Sequence, residues 1–456
     1  MAFKTFNRAL YASLESAEGS SVSPDDSPMA YIETTDPTFT VTNRMFDRNP
    51  TRLSITPAPA IVPGTAVSTP SATVEFSFGV EMAGSGATGT EPRWGRLLEA
   101  CGLEKLTLDS ISTDTFGGGA ANAPNCLLHA ERLSAGSATT FSSGASDVIG
   151  RVVSDTFQSD STVYYVQGAG GGSHAGVTND EKICGEVTNG VPILTADASS
   201  AENVGFAYAP LSSSVLGGAN ASSLTIRLVY DISTGAYIEA VGCRGSVEFA
   251  MTSGDRVMMN FTFTGRMSNY TNAGADNKLP QTGVTTVPPA FVGVSLGIQD
   301  TSYAADSAAD YTGSIFSTMN INLGNEITVR ESTSAASGYD VAYITGRAPS
   351  ATFNPDAVLE STFAFWDQFL AGDVTRAKLT VGSTDGNKFM MKMPAMQFTG
   401  IADGNRDEVY VYDSTTNLTG GDYGSSIQQS ASAAATASTQ TNPRLGTNNE
   451  FVRFCL

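Results

Sequence analysis

The segment Gly84-Ser-Gly86-Ala-Thr-Gly89 is where residue type and spacing first suggest chemistry. Glycines set this way between a strand and a helix, with an acidic residue such as Asp109 about twenty positions on, are the parts of a dinucleotide-binding turn. The surroundings argue otherwise. The strand before the loop alternates polar and apolar residues, whereas a parallel strand covered on both faces is apolar throughout. No βαβαβ series follows, and the next helix, at about ten residues, is short for a crossover. The glycines therefore read as a β-to-helix loop.

Other candidate groups are thinner. Gly168-Ala-Gly-Gly-Gly-Ser173 lacks the Lys-Ser/Thr pair of a phosphate loop. His129 and His174 are the only histidines, which leaves little material for a histidine base or a multi-histidine metal site. Carboxylates are dense at Asp25-Asp26, at Asp306 with Asp310, and over Asp403–Glu408, but none of these has calcium-loop spacing. In so acidic a chain such groups read as solvated surface. The expectation is a protein that is not an enzyme and uses no cofactor and no metal.

The 456 residues carry 45 Asp plus Glu against 25 Lys plus Arg, a net charge of -20. A nucleic-acid binder shows the reverse, a basic patch that displaces counterions from phosphates. An acidic wall repels DNA and suits a conduit better than a grip. Charged residues are only 15%, which suits a surface largely covered by identical neighbours. The cysteines, Cys101, Cys126, Cys184, Cys243 and Cys455, lie far apart without CxxC spacing and read as free, mostly buried thiols. That pattern fits assembly in a reducing cytoplasm. Met1-Ala-Phe-Lys opens without an apolar signal core, and no run approaches a membrane span of about 18 apolar residues.

The elements that must position these residues are mainly strands. From Val74 to Glu81 the sequence alternates without a miss, with Val74, Phe76, Phe78 and Val80 on one face. Thr90 as N-cap and Pro92 just inside open a helix that runs to Cys101, where Gly102 stops it. Trp94, Leu97, Leu98 and Cys101 share its apolar face, which must pack on a sheet. Leu224–Tyr230 and Ala236–Val241 form a hairpin. A second hairpin sets Val247, Phe249 and Met251 against Val257, Met259, Phe261 and Phe263 across Ser253-Gly254-Asp255.

The second half repeats this grammar. Strands at Ser317–Leu323, Glu326–Arg330 and Val341–Thr345 lead to a helix from Asn354-Pro355 to Leu370, which carries Phe363, Trp366 and Phe369. Strand Ala377–Val381, the turn Asp385-Gly386-Asn387, and alternation over Phe389–Met393 and Val409–Tyr412 follow. The repeat is one of element order, not of residue identity. The chain accordingly divides into an N-terminal arm (1–38), a first domain (39–265) with a β-rich insertion at about 108–204, a linker (266–290), a second domain (291–419) and a tail (420–456). The insertion carries strands at Val148–Val153 and Thr162–Val166. The tail is a flexible Ser/Ala/Thr/Gln stretch closing in apolar Phe451–Leu456.

Three segments carry a resemblance. The first is Phe76-Ser-Phe-Gly-Val-Glu-Met-Ala-Gly-Ser-Gly86, closed by Pro92-Arg-Trp-Gly-Arg-Leu-Leu-Glu-Ala-Cys-Gly102. The second runs from Gly242-Cys-Arg-Gly-Ser-Val-Glu-Phe249 through Gly254 to Phe261-Thr-Phe-Thr-Gly265. The third comprises Ile344-Thr-Gly-Arg347, Phe353-Asn-Pro-Asp356, Phe365-Trp366, Val381-Gly382 and Asp385-Gly-Asn387. In order and spacing they resemble the major tail tube proteins of long-tailed, siphovirus-like bacteriophages, over some half of the chain; the insertion departs from that pattern.

The resemblance implies a mainly β fold, with two tandem tail-tube-type β-sandwich or barrel domains, each with one short flanking α-helix, plus the β-rich insertion. It implies a structural virion protein that polymerises as stacked rings into the tail tube, the conduit for DNA ejection. The expected partners are copies of itself, three per pseudo-hexameric ring with a hexamer as the alternative, and the stacked rings. Tail completion, tape-measure and tail-tip proteins are further expected partners. DNA would pass without specific binding, no membrane is involved, and the protein would be assembled in the host cytoplasm and reside in the virion.

The hairpins Leu224–Val241 and Ala377–Met393 are then the candidates for lining the bore, with Thr225, Arg227, Glu239, Lys378 and Lys388 at the polar parity toward water. Trp94, Leu97, Leu98, Trp366 and Phe369 are expected to pack helix on sheet. The competing expectation is a β-rich tail fibre, decoration protein or glycan-binding adhesin.

Overall fold

The computed structural model describes residues 8–22, 30–48, 65–116, 129–132, 147–152, 161–167, 182–185, 194–196, 201–211, 222–231, 235–271, 286–299, 311–312, 315–335, 337–384, 386–419 and 453–455. Over these residues the chain is mainly β, with antiparallel sheets and two short helices, Gly95–Ala100 and Phe365–Ala371. The mainly β expectation holds.

In spatial order the first sheet runs Ala30–Ile32, Ala9–Leu14, Leu224–Asp231, Ala236–Thr252, Met258–Thr271, Thr65–Glu81 and Thr35–Arg48. The Ala236–Thr252 strand is about 55 Å long at ~3.3 Å per residue, and its far end changes partner. Its residues Glu248–Thr252 pair with Phe316–Asn322. From there the ladder continues through Ser350–Pro355, Val409–Leu418, Phe389–Arg406, Val374–Val381, Ser295–Gln299 and Tyr311–Thr312. One strand thus belongs to both halves of the chain.

The core follows the same continuity. Val74, Phe76, Phe78 and Val80 are buried as the alternation requires, and Phe78 stacks on Phe263 with ring centroids 5.9 Å apart. The second hairpin is in the expected register, Val247 opposite Phe261 and Phe249 opposite Met259, all buried. A contiguous apolar cluster then joins these residues to Leu379, Phe389, Met391, Met393 and Phe398 of the second half.

Several local expectations are corrected. Ala9–Leu14, placed in an arm, is a buried sheet strand: Leu10 and Ala12 are fully covered between Leu224–Val229 and Ala30–Ile32. The first helix begins only at Gly95, after a turn through Arg93 and Trp94. The second begins at Phe365, because Ser350–Pro355 is a strand held at Asn354, whose Oδ1 accepts from the Ser317 and Thr318 amides. Arg266–Thr271, assigned to a linker, completes the Met258–Thr271 strand.

The insertion leaves the body on a two-stranded stem, Leu103–Phe116 against Ala201–Pro210, paired from Leu103 with Pro210 to Leu108 with Gly205. Beyond it the expected strands appear as Asp147–Val152 and Ser161–Gln167. Additional strands at His129–Arg132, Lys182–Gly185 and Leu194–Ala196 were not foreseen. The tail residues 420–452 and the Gly168–Ser173 run lie outside the described residues.

Candidate functional site

The glycine loop is stitched to protein. Gly84 N donates to Asn387 Oδ1 at 2.8 Å, Gly86 N to Gly386 O at 3.2 Å and Gly89 N to Val204 O at 3.3 Å. A phosphate cradle needs such amides unoccupied and convergent. Here Gly84 and Gly86 latch the first half onto the Gly386-Asn387 turn of the second, and Gly89 ties the loop to the Ala201–Pro210 strand. A Cβ at Gly84 would sit 1.9 Å from Gly386 O, so the close approach itself requires glycine.

A second latch lies at the end of the first helix. Arg347 reaches across from the second half and donates to Gly102 O (2.6 Å), Cys101 O (3.1 Å), Leu211 O (3.4 Å) and Asn325 Oδ1 (2.8 Å). Asn325 in turn donates to Cys101 O at 2.7 Å and Gly245 O at 2.9 Å. The carbonyls at a helix end have no intrahelical donor and carry partial negative charge, so a planar cation fits them. Burial pulls the Arg347 guanidinium down to about 10. Trp94, Leu97 and Leu98 fix the helix from its other side as expected; Trp94 donates to Ala83 O at 2.8 Å and packs against Phe389.

The second helix departs from expectation. Its anchor is Phe365, fully buried against Phe363, Phe398 and Tyr412, while Phe369 packs at the margin of the core. Trp366 stays 39% exposed, with its indole N–H donating to Tyr412 OH at 3.2 Å.

The polar parity of the Leu224–Val241 hairpin is also corrected: Thr225, Arg227 and Glu239 are buried rather than turned to water. Residues 15–22 cross over them. Glu15 accepts from Ser223 Oγ (2.7 Å), Thr225 Oγ1 (3.0 Å) and Gly242 N (2.8 Å). Arg227 and Glu239, opposite each other in the ladder, form a buried ion pair, capped by Ser21 Oγ at 2.8 Å and by the Tyr237 ring. Arg244, fully buried, pairs with Glu18, donates to Ala342 O and lies over the Tyr343 ring. Alternation identified a polar face; it could not show that the chain's own early residues cover that face. Lys378 lies in register between Lys392 and Gly297, and Lys388 is half-buried just before Phe389.

Near the glycine loop a cleft of about 760 Å³ opens between Glu33, Glu81, Glu91, Arg93, Trp94 and Arg256. Behind it Glu91 accepts from Lys105 Nζ at 2.8 Å and from Tyr208 OH at 2.9 Å. Glu99 fares worse: its Oε1 is buried without a hydrogen bond, with Lys105 Nζ no nearer than 3.9 Å. Burial raises its carboxyl from 4.5 to about 7, against the partial opposition of Lys105.

A raised carboxyl pKa means that the folded chain holds this proton where the unfolded chain has released it. Its stabilising effect is present below pH 4.5 and is lost as pH rises through about 7. Glu99→Gln should therefore raise stability at pH 8 by on the order of 2 kcal/mol and leave it nearly unchanged at pH 4. Urea unfolding midpoints at the two pH values measure this; an equal shift at both would refute the assignment.

No Gly-x-Ser-x-Gly element is expected of this chain, yet Gly293-Val-Ser295-Leu-Gly297 has that spacing of a hydrolase nucleophile elbow. Ser295 instead opens a strand paired with Val374–Val381, not a strand-to-helix turn. Among the described residues no group of three His, Cys, Asp or Glu side chains is placed to hold a metal ion. Cys101 and Cys243 are free and buried, and burial pushes both thiols upward. Among the described residues no helix is long and apolar enough to cross a membrane. No protein-family model matches the chain, and no curated protein matches it.

Proposed function

We propose that this chain is a structural subunit that polymerises with copies of itself into a hollow tube, the tail tube of a long-tailed bacteriophage. The carrying observation is an open edge. Among the described residues, Thr35–Arg48 is paired along one side only, to Thr65–Glu81, and it bears Phe39 and Val41 at 38% and 39% exposure. A long edge strand is a liability for a protein that works alone, because its outward N–H and C=O groups template pairing with another chain. Closing a ring of copies removes the liability. Leu359, Trp366, Leu370 and Tyr410, exposed around the second helix, supply further apolar surface for neighbouring copies.

The order of motifs supports the tail-tube class, and the net charge of -20 suits a bore through which DNA slides. With two similar element series in one chain, three copies make a pseudo-hexameric ring, and rings stack by head-to-tail contact. The tube would enclose a tape-measure protein and end on completion and tip proteins within the virion.

Negative-stain microscopy of the purified chain should show hollow rods with stain-filled centres. The double variant Phe39→Lys/Val41→Lys should remain dispersed while unfolding at the same urea concentration. Rods that form equally well from the double variant would remove the edge from the assembly, and single copies that cluster only on added glycan would indicate an adhesin.

A further inference from the structure

Arg453–Cys455 occupies an unusual place. It is antiparallel to Ala201–Pro210 on one side, with Ala207 opposite Cys455 and Tyr208 opposite Phe454. On the other side it pairs with Phe389–Arg406, setting Met390, Met391 and Lys392 opposite Cys455, Phe454 and Arg453. Among the described residues, this short strand is the only ladder that joins the stem of the insertion to the second-half sheet. Without it, Ala207-Tyr208 and Met390–Lys392 face each other as two unfilled edges, a slot one strand wide.

We infer that in the assembled state this slot is filled by the Arg453–Cys455 strand of a second copy of the chain, so that each subunit lends a strand to the next. This inference rests on the polymerising role proposed above. The filler is separated from the last strand of the body, Val409–Leu418, by residues 419–452. At ~3.3 Å per residue that segment reaches up to roughly 110 Å, more than the width of a subunit of this size, so a neighbour's slot is within range. Its length changes the cost of closure only slowly, so an internal strand has little entropic advantage over one held nearby in a filament. The ladder hydrogen bonds are the same whichever copy supplies the strand. Exchange is therefore nearly neutral in enthalpy, and in a filament it adds a head-to-tail tie that propagates.

Mixing two species tests this. One carries Ala207→Cys together with Cys455→Ser; the other is the unaltered chain, which retains Cys455. Opposed strand residues lie about 4.5–5.5 Å apart at Cα, within disulfide range. A covalent dimer whose disulfide joins position 207 of one species to Cys455 of the other, located by peptide mapping so that links through Cys101, Cys126, Cys184 or Cys243 are set aside, forms only if Cys455 of one chain sits in the slot of another. Under mild oxidation after co-assembly, non-reducing electrophoresis should show that dimer, and it should vanish when both species carry Cys455→Ser.

The single variant Ala207→Cys, which holds both thiols in one chain, is the companion measurement. Rods without the mixed dimer, together with an intrachain link in this variant, would overturn strand exchange and leave the tube intact. Rods with neither link would overturn the exchange as well. Mixed dimers without rods would support the exchange and sink the tube.

Discussion

Arg244→Met should destabilise the chain by about 3 kcal/mol, because it strips the partner from a carboxylate that the fold has already taken partly out of water. Arg244 is fully buried, pairs with Glu18 and donates to Ala342 O. Methionine fills much of the volume, so the loss reports charge and hydrogen bonding rather than a cavity. The double variant Arg244→Met/Glu18→Gln should recover about 1 kcal/mol or more, since the second change removes the stranded charge. Urea midpoints of the four species give the coupling. If the two single losses simply add, Glu18 is not the partner that matters, and the crossing of residues 15–22 over the hairpin is held by Glu15, Ser21 and Val22 instead.

Arg347→Ala should cost a comparable amount, about 3–4 kcal/mol, by a different route. It takes the guanidinium donor from the carbonyls of Cys101, Gly102 and Leu211 and from Asn325 Oδ1, leaving Cys101 O with Asn325 Nδ2 and Gly102 O with the Leu211 amide. Arg347→Lys should restore less than half of that, because a single ammonium cannot span acceptors arranged for a planar fork. Limited proteolysis supplies the second readout. If Arg347 ties the first helix to the second half, the alanine variant should be cut sooner around residues 93–102 than around Val247–Phe263. Uniform acceleration at both places would make Arg347 a general core residue instead of a latch.

The sequence revealed elements whose two faces differ. Val74–Val80 and Val247–Phe263 were legible because strict alternation marks a strand and its buried face together. The Trp94 helix was legible for the same reason, less its first turn. Alternation at Thr225, Arg227 and Glu239 was real too, but periodicity separates a polar face from an apolar one and does not say what covers either. The cover is residues 15–22, whose Ser, Glu and Gly content gives no pattern of its own. Ala9–Leu14 escaped because both of its faces are buried, which erases the contrast that alternation needs. Phe365 was overshadowed by the neighbouring Trp366; one residue of rotation on a short helix decides which ring enters the core, and spacing over two turns is too little to fix it. The latches at Gly84 and Arg347 depend on contacts between residues far apart in the chain, which no local signal carries.

The pairing of Ala9–Leu14 with Leu224–Val229 has a consequence for biosynthesis. The ribosome makes Ala9–Leu14 more than two hundred residues before its partner. At ~5–20 residues per second, the first strand waits roughly 10–40 s with its apolar side chains and backbone donors unsatisfied. A nascent chain in that condition is a natural client for holdase chaperones, and the speed of translation sets how long it must be guarded.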